Sequence, residues 1–171
     1  MLVNDPELHG RDARATRAFT MVEILVVVII LAIAAAIVVP MAINTGDLQA
    51  ASGAQMLTAD LQYAQNMAIT TQQPVTVTFN ATANSYTLSN ASGTLIHPIK
   101  KTAYVVDFDT TDGLSNLRLI SASFASAPTV TFDELGAPNN AGVVTLRAGA
   151  SILRVNVAAA TGRITVTAAG S

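Results

Sequence analysis

The sequence predicts an α+β fold in which a long N-terminal helix packs on antiparallel β-sheets. Three patterns support this class: an apolar run from Ile24 to Val39, an amphipathic stretch over residues 44–71, and short alternating strands after Pro74. A helix laid on one face of an antiparallel sheet is the α+β arrangement. The helix has two predicted halves, one suited to a membrane and the other to the surface of a domain.

Composition limits the chain to an apolar segment joined to one small domain. The chain has 171 residues, of which 51% are hydrophobic and 12% are charged. It has no cysteine, so disulfides and thiolate metal sites are excluded. The formal net charge is -2, and no polybasic run of the kind found on nucleic-acid surfaces is present.

The apolar run contains a single ionisable residue. Between Arg17 and Asp47 the only charged side chain is Glu23. Roughly 20 apolar residues in a helix are enough to cross the hydrocarbon core of a bilayer, so residues 19–43 predict a transmembrane segment. An acid in such a segment is a functional residue by default. The alternative is that Glu23 lies at the headgroup level and extends outward.

Residues 44–71 predict an amphipathic helix that docks on a domain. Its apolar residues recur at spacings of four and three: Ala50, Ala54, Leu57, Leu61, Ala64 and Ala68. We assign this stripe to the intramolecular core. The polar residues lie away from it: Asp60, Gln62, Gln65 and Asn66. Gly46 and Gly53 each weaken a helix by about 1 kcal/mol relative to alanine, which fits either a flexible joint near Pro40 or an ordinary imperfect helix.

After Pro74 the hydrophobic period changes to two, which indicates half-buried strands. Turns rich in Gly, Asn, Asp and Ser separate them, as in antiparallel sheets. The predicted strands are 75–79, 86–88, 94–96, 103–108, 117–120, 129–132, 143–147, 152–157 and 163–167.

The N-terminal residues resemble those of type IV pilins and pseudopilins. Arginines precede a small residue, which is followed by Phe-Thr-Met-Val-Glu, the apolar helix and Pro40. The resemblance implies that a prepilin peptidase cuts between Ala18 and Phe19 and that Phe19 is then N-methylated. It also implies assembly roles for Glu23 and Pro40. Ala18 stands where the family usually has glycine.

Later motifs narrow the resemblance to GspH/FimT-type minor pseudopilins. They are the junction of the helix with the first strand, an F-x-x-x-G turn at 132–136 and a T-G-R sequence at 161–163. The resemblance implies a pilin-like fold and a structural role as a minor subunit of a type II secretion pseudopilus or a type IV pilus. The partners implied are other pseudopilins or pilins, prepilin peptidase, the inner membrane and secreted cargo.

Cleavage before Phe19 would create an amine four residues from Glu23. In a staggered bundle of helices, the carboxylate of an incoming subunit can lie beside the amine of its neighbour. Removing one partner of such a buried pair costs about 3 to 5 kcal/mol. We therefore expect Glu23 to favour assembly over the free membrane state.

The chain divides by these criteria into a leader at 1–18, a transmembrane and assembly half-helix at 19–43, an amphipathic half-helix at 44–72 and a β domain at 73–171. Arginines just before the apolar run predict a cytoplasmic N-terminus, a single pass through the membrane and a β domain on its other side. The resemblance implies that this membrane is the bacterial inner membrane and that the β domain is periplasmic or extracytoplasmic. A secretory signal peptide cut near Ala34, Ala35 and Ala36 is the alternative. It would give a secreted or anchored β domain that is not polymerised.

The sequence also raises the questions of calcium binding and of enzymatic activity. Asp107, Asp109 and Asp112 crowd one turn and could ligate calcium, but we prefer the explanation that they form a strand end followed by an Asp-Gly turn, in which acids accept backbone hydrogen bonds. The only histidines are His9 and His97, and we expect His97 to be an exposed loop residue. We therefore predict no enzymatic activity and no cofactor.

DNA binding is the other alternative, since some FimT-type minor pilins are thought to bind DNA through basic residues near the C-terminus. The candidate residues are Arg147, Arg154 and Arg163, and further basic residues are Lys100, Lys101 and Arg118. They are scattered along the sequence. Affinity depends on how many phosphates are neutralised, so binding would be weak unless folding brings these residues together.

Overall fold

The computed structural model describes residues 20–43 and 45–169, with the side chains of 37–43 left out. The chain forms two compact units that divide between Met41 and Ala42, and each is described by itself. Helix α1 spans Met21–Ile43, and helix α2 spans Thr45–Thr71. Within the part of the chain described in this way, no helix is both long and apolar enough to cross a membrane.

Helix α2 ends where the sequence predicts. Gln72 has a left-handed backbone, with φ of 51°, and the N–H of Gln73 donates to the carbonyl of Ala68 at 3.3 Å. This is the long hydrogen bond of a Schellman C-cap. Pro74 follows and cannot continue the helix.

Nine strands follow in the described part of the second unit: β1 Val75–Asn80, β2 Ser85–Asn90, β3 Gly93–Thr94, β4 Val105–Asp107, β5 Leu117–Phe124, β6 Thr129–Phe132, β7 Gly142–Ala148, β8 Ser151–Val157 and β9 Ile164–Ala168. The first sheet has the order β3-β2-β1-β6, with β4 also paired to β2, and the second has the order β5-β7-β8-β9. All pairings are antiparallel. The predicted α+β class is confirmed.

The apolar stripe of α2 forms the centre of the core. Ala50, Ala54, Leu57, Leu61, Ala64 and Ala68 are each at most 1% exposed. Helix α2 contacts strands of both sheets, and it packs against their buried residues, such as Val77 and Val155. The assignment of the stripe to the intramolecular core is confirmed. At the start of the helix, Gln49 Oε1 accepts the backbone N–H of Asn116 at 3.1 Å.

Of the nine described strands, only β6 has its predicted bounds. The prediction ends β5 at Ile120, but the strand continues to Phe124 because a bulge between Leu119 and Ser121 shifts the alternation. The strand predicted at 94–96 shrinks to Gly93–Thr94, and the one predicted at 103–108 shrinks to Val105–Asp107. The intervening chain forms an isolated bridge between Ile96 and Ala103 instead.

Gly53 is a packing residue as well as a weak helix former. It is buried, and a Cβ at this position would overlap the side chain of Leu117, which is fully buried on β5. Glycine therefore allows α2 to approach the second sheet closely. Gly46 plays a similar part, because a Cβ there would lie 2.8 Å from the carbonyl oxygen of Ala148.

Gly53→Ala is expected to lower the free energy of unfolding by about 1 to 3 kcal/mol, the usual cost of overpacking a core. Urea unfolding of the full chain measures this change. Ser52→Ala is the matched control, since Ser52 is exposed on the same helix and alanine there improves helix propensity. A Gly53→Ala protein more stable than wild type would show that Leu117 has room to move.

Candidate functional site

Helix α1 begins immediately after Thr20, which caps it. Thr20 Oγ1 accepts the backbone N–H of Glu23 at 3.1 Å, the usual contact between an N-cap and the third helical residue. Glu23 is exposed in the first turn, where the helix dipole favours a carboxylate. Over residues 20–43 and 45–169 the only ion pair joins Arg118 to Asp109. Within these residues, Glu23 therefore has no cationic partner.

Three other residues of the predicted assembly site remain predictions. Ala18 and Phe19, the expected cleavage and methylation site, lie outside the described residues. Pro40 lies within α1, and only its backbone is described.

Asp60 joins the middle of α2 to the first sheet. Its Oδ2 accepts the hydroxyl of Tyr86 at 2.5 Å, and its Oδ1 accepts the hydroxyl of Tyr104 at 3.0 Å. Burial, and then the charge of Asp60, raise the pKa of Tyr86 well above its ordinary value and raise that of Tyr104 in the same way. Both phenols therefore remain protonated donors. The ring of Tyr104 also packs on Tyr63 and on His97.

The raised pKa of Tyr86 predicts a loss of stability in alkali. Its contribution is complete below about pH 10, where an unfolded tyrosine titrates, and is lost as the pH rises toward the folded pKa. In that range, a proton held only by the native state lowers the free energy of unfolding by about 1.4 kcal/mol per pH unit. Tyr86→Phe removes that proton, so the free energy of unfolding of this variant should fall less steeply with pH, by about 1.4 kcal/mol per pH unit.

Denaturant unfolding at several pH values above 9 measures both slopes. Phenylalanine keeps a ring to pack on Phe108, whose ring centroid lies 5.5 Å from that of Tyr86, so the change isolates the hydroxyl. Identical slopes for the two proteins would contradict the raised pKa of Tyr86.

Gln65 joins the C-terminal part of α2 to two loops. Its Nε2 donates to the carbonyl of Gly136 at 2.7 Å and to that of Thr161 at 3.2 Å. Gly136 and Gly162 have φ of 81° and 62°, and a Cβ at Gly162 would lie 2.5 Å from Gln65 Nε2. These are the glycines of the F-x-x-x-G and T-G-R motifs. The two motifs therefore mark the places where the loops close on the helix.

Asn84 connects the turn between β1 and β2 to the second sheet. It is 4% exposed and has φ of 48°. Its Nδ2 donates to Asp109 Oδ1 at 2.8 Å and to the carbonyl of Leu117 at 2.9 Å. Its Oδ1 accepts the N–H of Leu119 at 2.8 Å. One side chain therefore satisfies two backbone groups on the outer edge of β5.

The acidic turn after β4 has structural partners. Asp109 Oδ1 also accepts a hydrogen bond from Arg118, and Asp107 Oδ1 accepts the N–H of Asp109 at 2.8 Å. Asp112 is exposed and precedes Gly113, which has φ of 77°. Among the residues described, no three acidic or histidine side chains gather as metal ligands. The structure thus does not bring Asp107, Asp109 and Asp112 together, and the turn follows the Asp-Gly alternative.

Three arginines gather on the solvent face of the second sheet. Arg118 on β5 is the direct cross-strand neighbour of Arg147 on β7. Arg154 on β8 pairs with Thr145, which places it diagonally beside Arg147 on the same face. All three arginines are exposed, and β5, β7, β8 and β9 contain no acidic residue. Arg163 immediately precedes β9, whereas Lys100 and Lys101 lie in the loop before β4.

His97 lies in a loop, as predicted, but it is half-buried and not exposed. Its Nδ1 accepts the backbone N–H groups of Ile99 at 3.1 Å and Lys100 at 3.2 Å. Its ring centroid lies 4.5 Å from that of Tyr104. These two hydrogen bonds stabilise the turn that follows His97 in the loop before β4.

Comparison with known families identifies the chain. Residues 53–170 match the family described as Type II transport protein GspH. The chain belongs to the GspH family. Residues 13–39 match the prokaryotic N-terminal methylation motif, which indicates prepilin-type membrane anchoring. No curated protein matches the sequence.

Solved structures share the fold of this GspH-family chain. The minor pseudopilin EpsH from the Type 2 Secretion System of Vibrio cholerae aligns with a TM-score of 0.55 and 17% identity over 72% of this chain and 99% of that one. The type IV minor pilin FimU of Pseudomonas aeruginosa PAO1 aligns with a TM-score of 0.54 and 17% identity over 73% of this chain and 96% of that one. At these identities, the likeness concerns the fold.

The residues that hold the domain together and the predicted assembly residues fall in different parts of the two family matches. The GspH match contains Asp60, Gln65 and Asn84, which hold the domain together. The methylation motif contains Ala18, Phe19 and Glu23 but ends at residue 39, so Pro40 lies just beyond it. The GspH-family domain therefore supplies the scaffold, and the predicted assembly residues lie in or beside the N-terminal motif.

Proposed function

We propose that this GspH-family chain is a minor pseudopilin, a structural subunit of a type II secretion pseudopilus or a related type IV pilus-like filament. The observation that carries the proposal is the presence of both matches in one chain, the methylation motif at 13–39 and the GspH family at 53–170. Membership of the family implies assembly with other pilin-like subunits. The work of such a subunit is structural rather than enzymatic.

The side chains of α1 support insertion into a bilayer or a bundle of helices. Every described side chain from Met21 to Ala36 is exposed, including Val26 at 46% and Leu31 at 62%. A helix that is apolar all round requires burial on all sides. We propose that this segment holds the unassembled subunit in the inner membrane, with the N-terminus in the cytoplasm and the β domain periplasmic or extracytoplasmic.

Processing would then complete the assembly site. We propose that prepilin peptidase cuts between Ala18 and Phe19 and that the N-methylated amine of Phe19 pairs with Glu23 of a neighbouring subunit. The exposed position of Glu23 and the absence of a cation beside it, within the described residues, support this role. Pro40 would serve assembly by kinking α1 so that it fits between the helices of neighbouring subunits.

The β domain would contact neighbouring subunits or secreted cargo through its loops. Asn139, Asn140 and Ala141 are exposed between β6 and β7, as are Ser115 and Asn116 before β5. Each loop also has a buried residue, Pro138 or Leu114, that fixes it to the core. The loops can therefore present polar side chains from a rigid base.

Mass spectrometry of the native protein, purified from the cells that make it, tests the processing step. The mature chain should begin at Phe19 and carry one N-methyl group. Filaments isolated from the same cells should contain the processed chain. A chain that begins just after Ala36, or an unmethylated chain absent from filaments, would instead support the secreted or anchored β domain.

DNA capture is a second candidate because folding gathers Arg118, Arg147 and Arg154 on one face without acids in the same strands. Asp109 pairs with Arg118, so two of the three arginines lack a carboxylate partner among the described residues. Duplex DNA should bind the full chain in detergent, with affinity that falls as salt rises. Arg147→Gln with Arg154→Gln should weaken binding, whereas Lys100→Gln with Lys101→Gln should not. No binding at low salt would remove this candidate.

A further inference from the structure

The outer edge of β9 presents unpaired backbone groups. The N–H of Ala169 donates to the carbonyl of Ile152, and the N–H of Ala158 donates to the carbonyl of Arg163. In an antiparallel ladder, the residues bonded to the neighbouring strand alternate with residues that point away. The backbone groups of Ile164, Val166 and Ala168 therefore point away from β8. We call these three residues the β9 edge, and within the described residues their outward N–H and C=O groups have no partner.

Hydrogen bonds from other segments cover part of the outer edges of β5 and β6. On β5, Asn84 bonds the carbonyl of Leu117 and the N–H of Leu119. On β6, the Oδ1 of Asn139 accepts the N–H of Thr131 at 3.0 Å, and the N–H of Asn139 donates to the carbonyl of Thr131 at 2.8 Å. The contrast distinguishes β9 from the edges that the domain protects.

Over the residues that the structure describes, β9 itself also lacks the devices that usually prevent strand addition. Such devices are a charge, a proline, a bulge or a covering element. Strand β9 contains only isoleucine, valine, threonine and alanine, and its pairing with β8 is regular. Val166 is 42% exposed on the side of the sheet that faces the core. An added strand could cover this apolar surface while it pairs with the backbone.

Charge indicates the kind of strand that would fit. Arg163 is exposed at the start of β9, and Arg154 is exposed beside Thr167 on the solvent face. Neither arginine pairs with a carboxylate in the part of the chain described. A strand added to β9 would pass within reach of both. A carboxylate on its solvent row would therefore be attracted to this edge, whereas a lysine would be repelled.

We propose that the β9 edge binds an extended segment of another polypeptide in which apolar residues alternate with polar and acidic ones. The apolar residues lie beside Ile164, Val166 and Ala168, and the acidic ones face Arg163 and Arg154. Main-chain hydrogen bonds supply affinity, and the alternating side chains supply specificity. This interaction surface goes beyond the role of the chain as a filament subunit and does not depend on processing at Phe19.

Hydrogen exchange on the full chain in detergent micelles tests the proposal. The probe is a synthetic peptide in which valine alternates with glutamate and threonine, and the control peptide has lysine in place of glutamate. The acidic peptide should slow exchange at least tenfold at the amides of Ile164, Val166 and Ala168. The amides of Thr165 and Thr167, already bonded to β8, should change little. No slowing at the three outward amides would overturn the proposal.

Two variants make the test specific. Val166→Pro removes one outward N–H without removing a bond to β8. It should lower the affinity for the acidic peptide at least tenfold. Val166→Thr keeps the N–H and should bind as the wild type does. Arg163→Glu leaves Arg154 in place, so it should abolish the preference for the acidic peptide over the lysine peptide.

The variants also define the results that contradict the proposal. Equal binding by Val166→Pro and wild type would place the peptide elsewhere. A dimer that forms without peptide and is lost in Val166→Pro would show that the edge pairs with a second copy of the chain instead.

Discussion

Glu23→Ala is expected to reach the membrane in wild-type amount and to be nearly absent from filaments. The change leaves α1 apolar but removes the carboxylate that we propose pairs with the N-terminal amine of a neighbour. Loss of one partner from a buried pair costs about 3 to 5 kcal/mol, and each 1.4 kcal/mol is about a tenfold change in an equilibrium. Immunoblots of membranes and purified filaments should therefore show at least a hundredfold depletion from filaments.

Conservative variants separate charge from shape at this position. Glu23→Gln keeps the size of the side chain and should be depleted like Glu23→Ala, whereas Glu23→Asp should retain part of the incorporation. Thr20→Ala removes the cap on α1 and is expected to cost about 1 kcal/mol of helix stability, a much smaller effect. Normal incorporation of Glu23→Ala would refute the pairing.

The second large effect is expected at Asn84. Asn84→Ala removes the hydrogen bonds to the N–H of Leu119 and the carbonyl of Leu117. Each buried backbone group left without a partner costs about 1 to 3 kcal/mol. Alanine also tolerates the φ of 48° less well than asparagine. The free energy of unfolding should therefore fall by about 3 kcal/mol or more in urea titrations.

Two further variants distinguish the side chain from the backbone at this position. Asn84→Gly relieves the backbone strain but loses the same hydrogen bonds, so it should be destabilised less than Asn84→Ala and still clearly destabilised. Asn84→Asp keeps an acceptor for Leu119 but places a carboxylate beside Asp109, which is unfavourable. If Asn84→Gly were as stable as wild type, the hydrogen bonds to β5 would contribute no more than the backbone strain that glycine relieves.

The parts of the fold that follow from local periodicity were predictable. The six apolar residues of the α2 stripe are all buried, and the strand predicted at 129–132 is the observed β6. Both patterns are visible within a short window of sequence, because side-chain direction repeats with the period of a helix or a strand. The bulge in β5 broke that period, so the strand was predicted four residues too short.

The polar contacts that tie the domain together were not predictable in this way. Asp60 bonds Tyr86, which is 26 residues away, and Gln65 bonds Gly136, which is 71 residues away. Asn84 bonds Leu117 at a separation of 33 residues. In the sequence, Asp60 and Gln65 are simply polar residues beside an apolar stripe. For Asn84 the only local signal is that asparagine in a turn tolerates a left-handed backbone conformation.

The candidate functional residues also differ in whether they are visible in a short window of sequence or only in the folded chain. Glu23 is a candidate from the sequence alone, because a lone acid in an apolar run is conspicuous without any tertiary information, and its role stays a prediction. The arginine face could not, since Arg118, Arg147 and Arg154 come together only through the register of β5, β7 and β8. The β9 edge depends on which strand ends each sheet, which the sequence does not show.

The polar contacts of α2 also bear on how the domain responds to traction. Gln49, Asp60 and Gln65 bond the rest of the domain at three levels, spread over roughly 24 Å at 1.5 Å per residue. Tension along the helix axis loads these attachments in shear, so they yield together. A sideways force peels them apart one after another. The domain is therefore mechanically anisotropic: it should withstand a force along the axis of α2 better than a force at right angles to it.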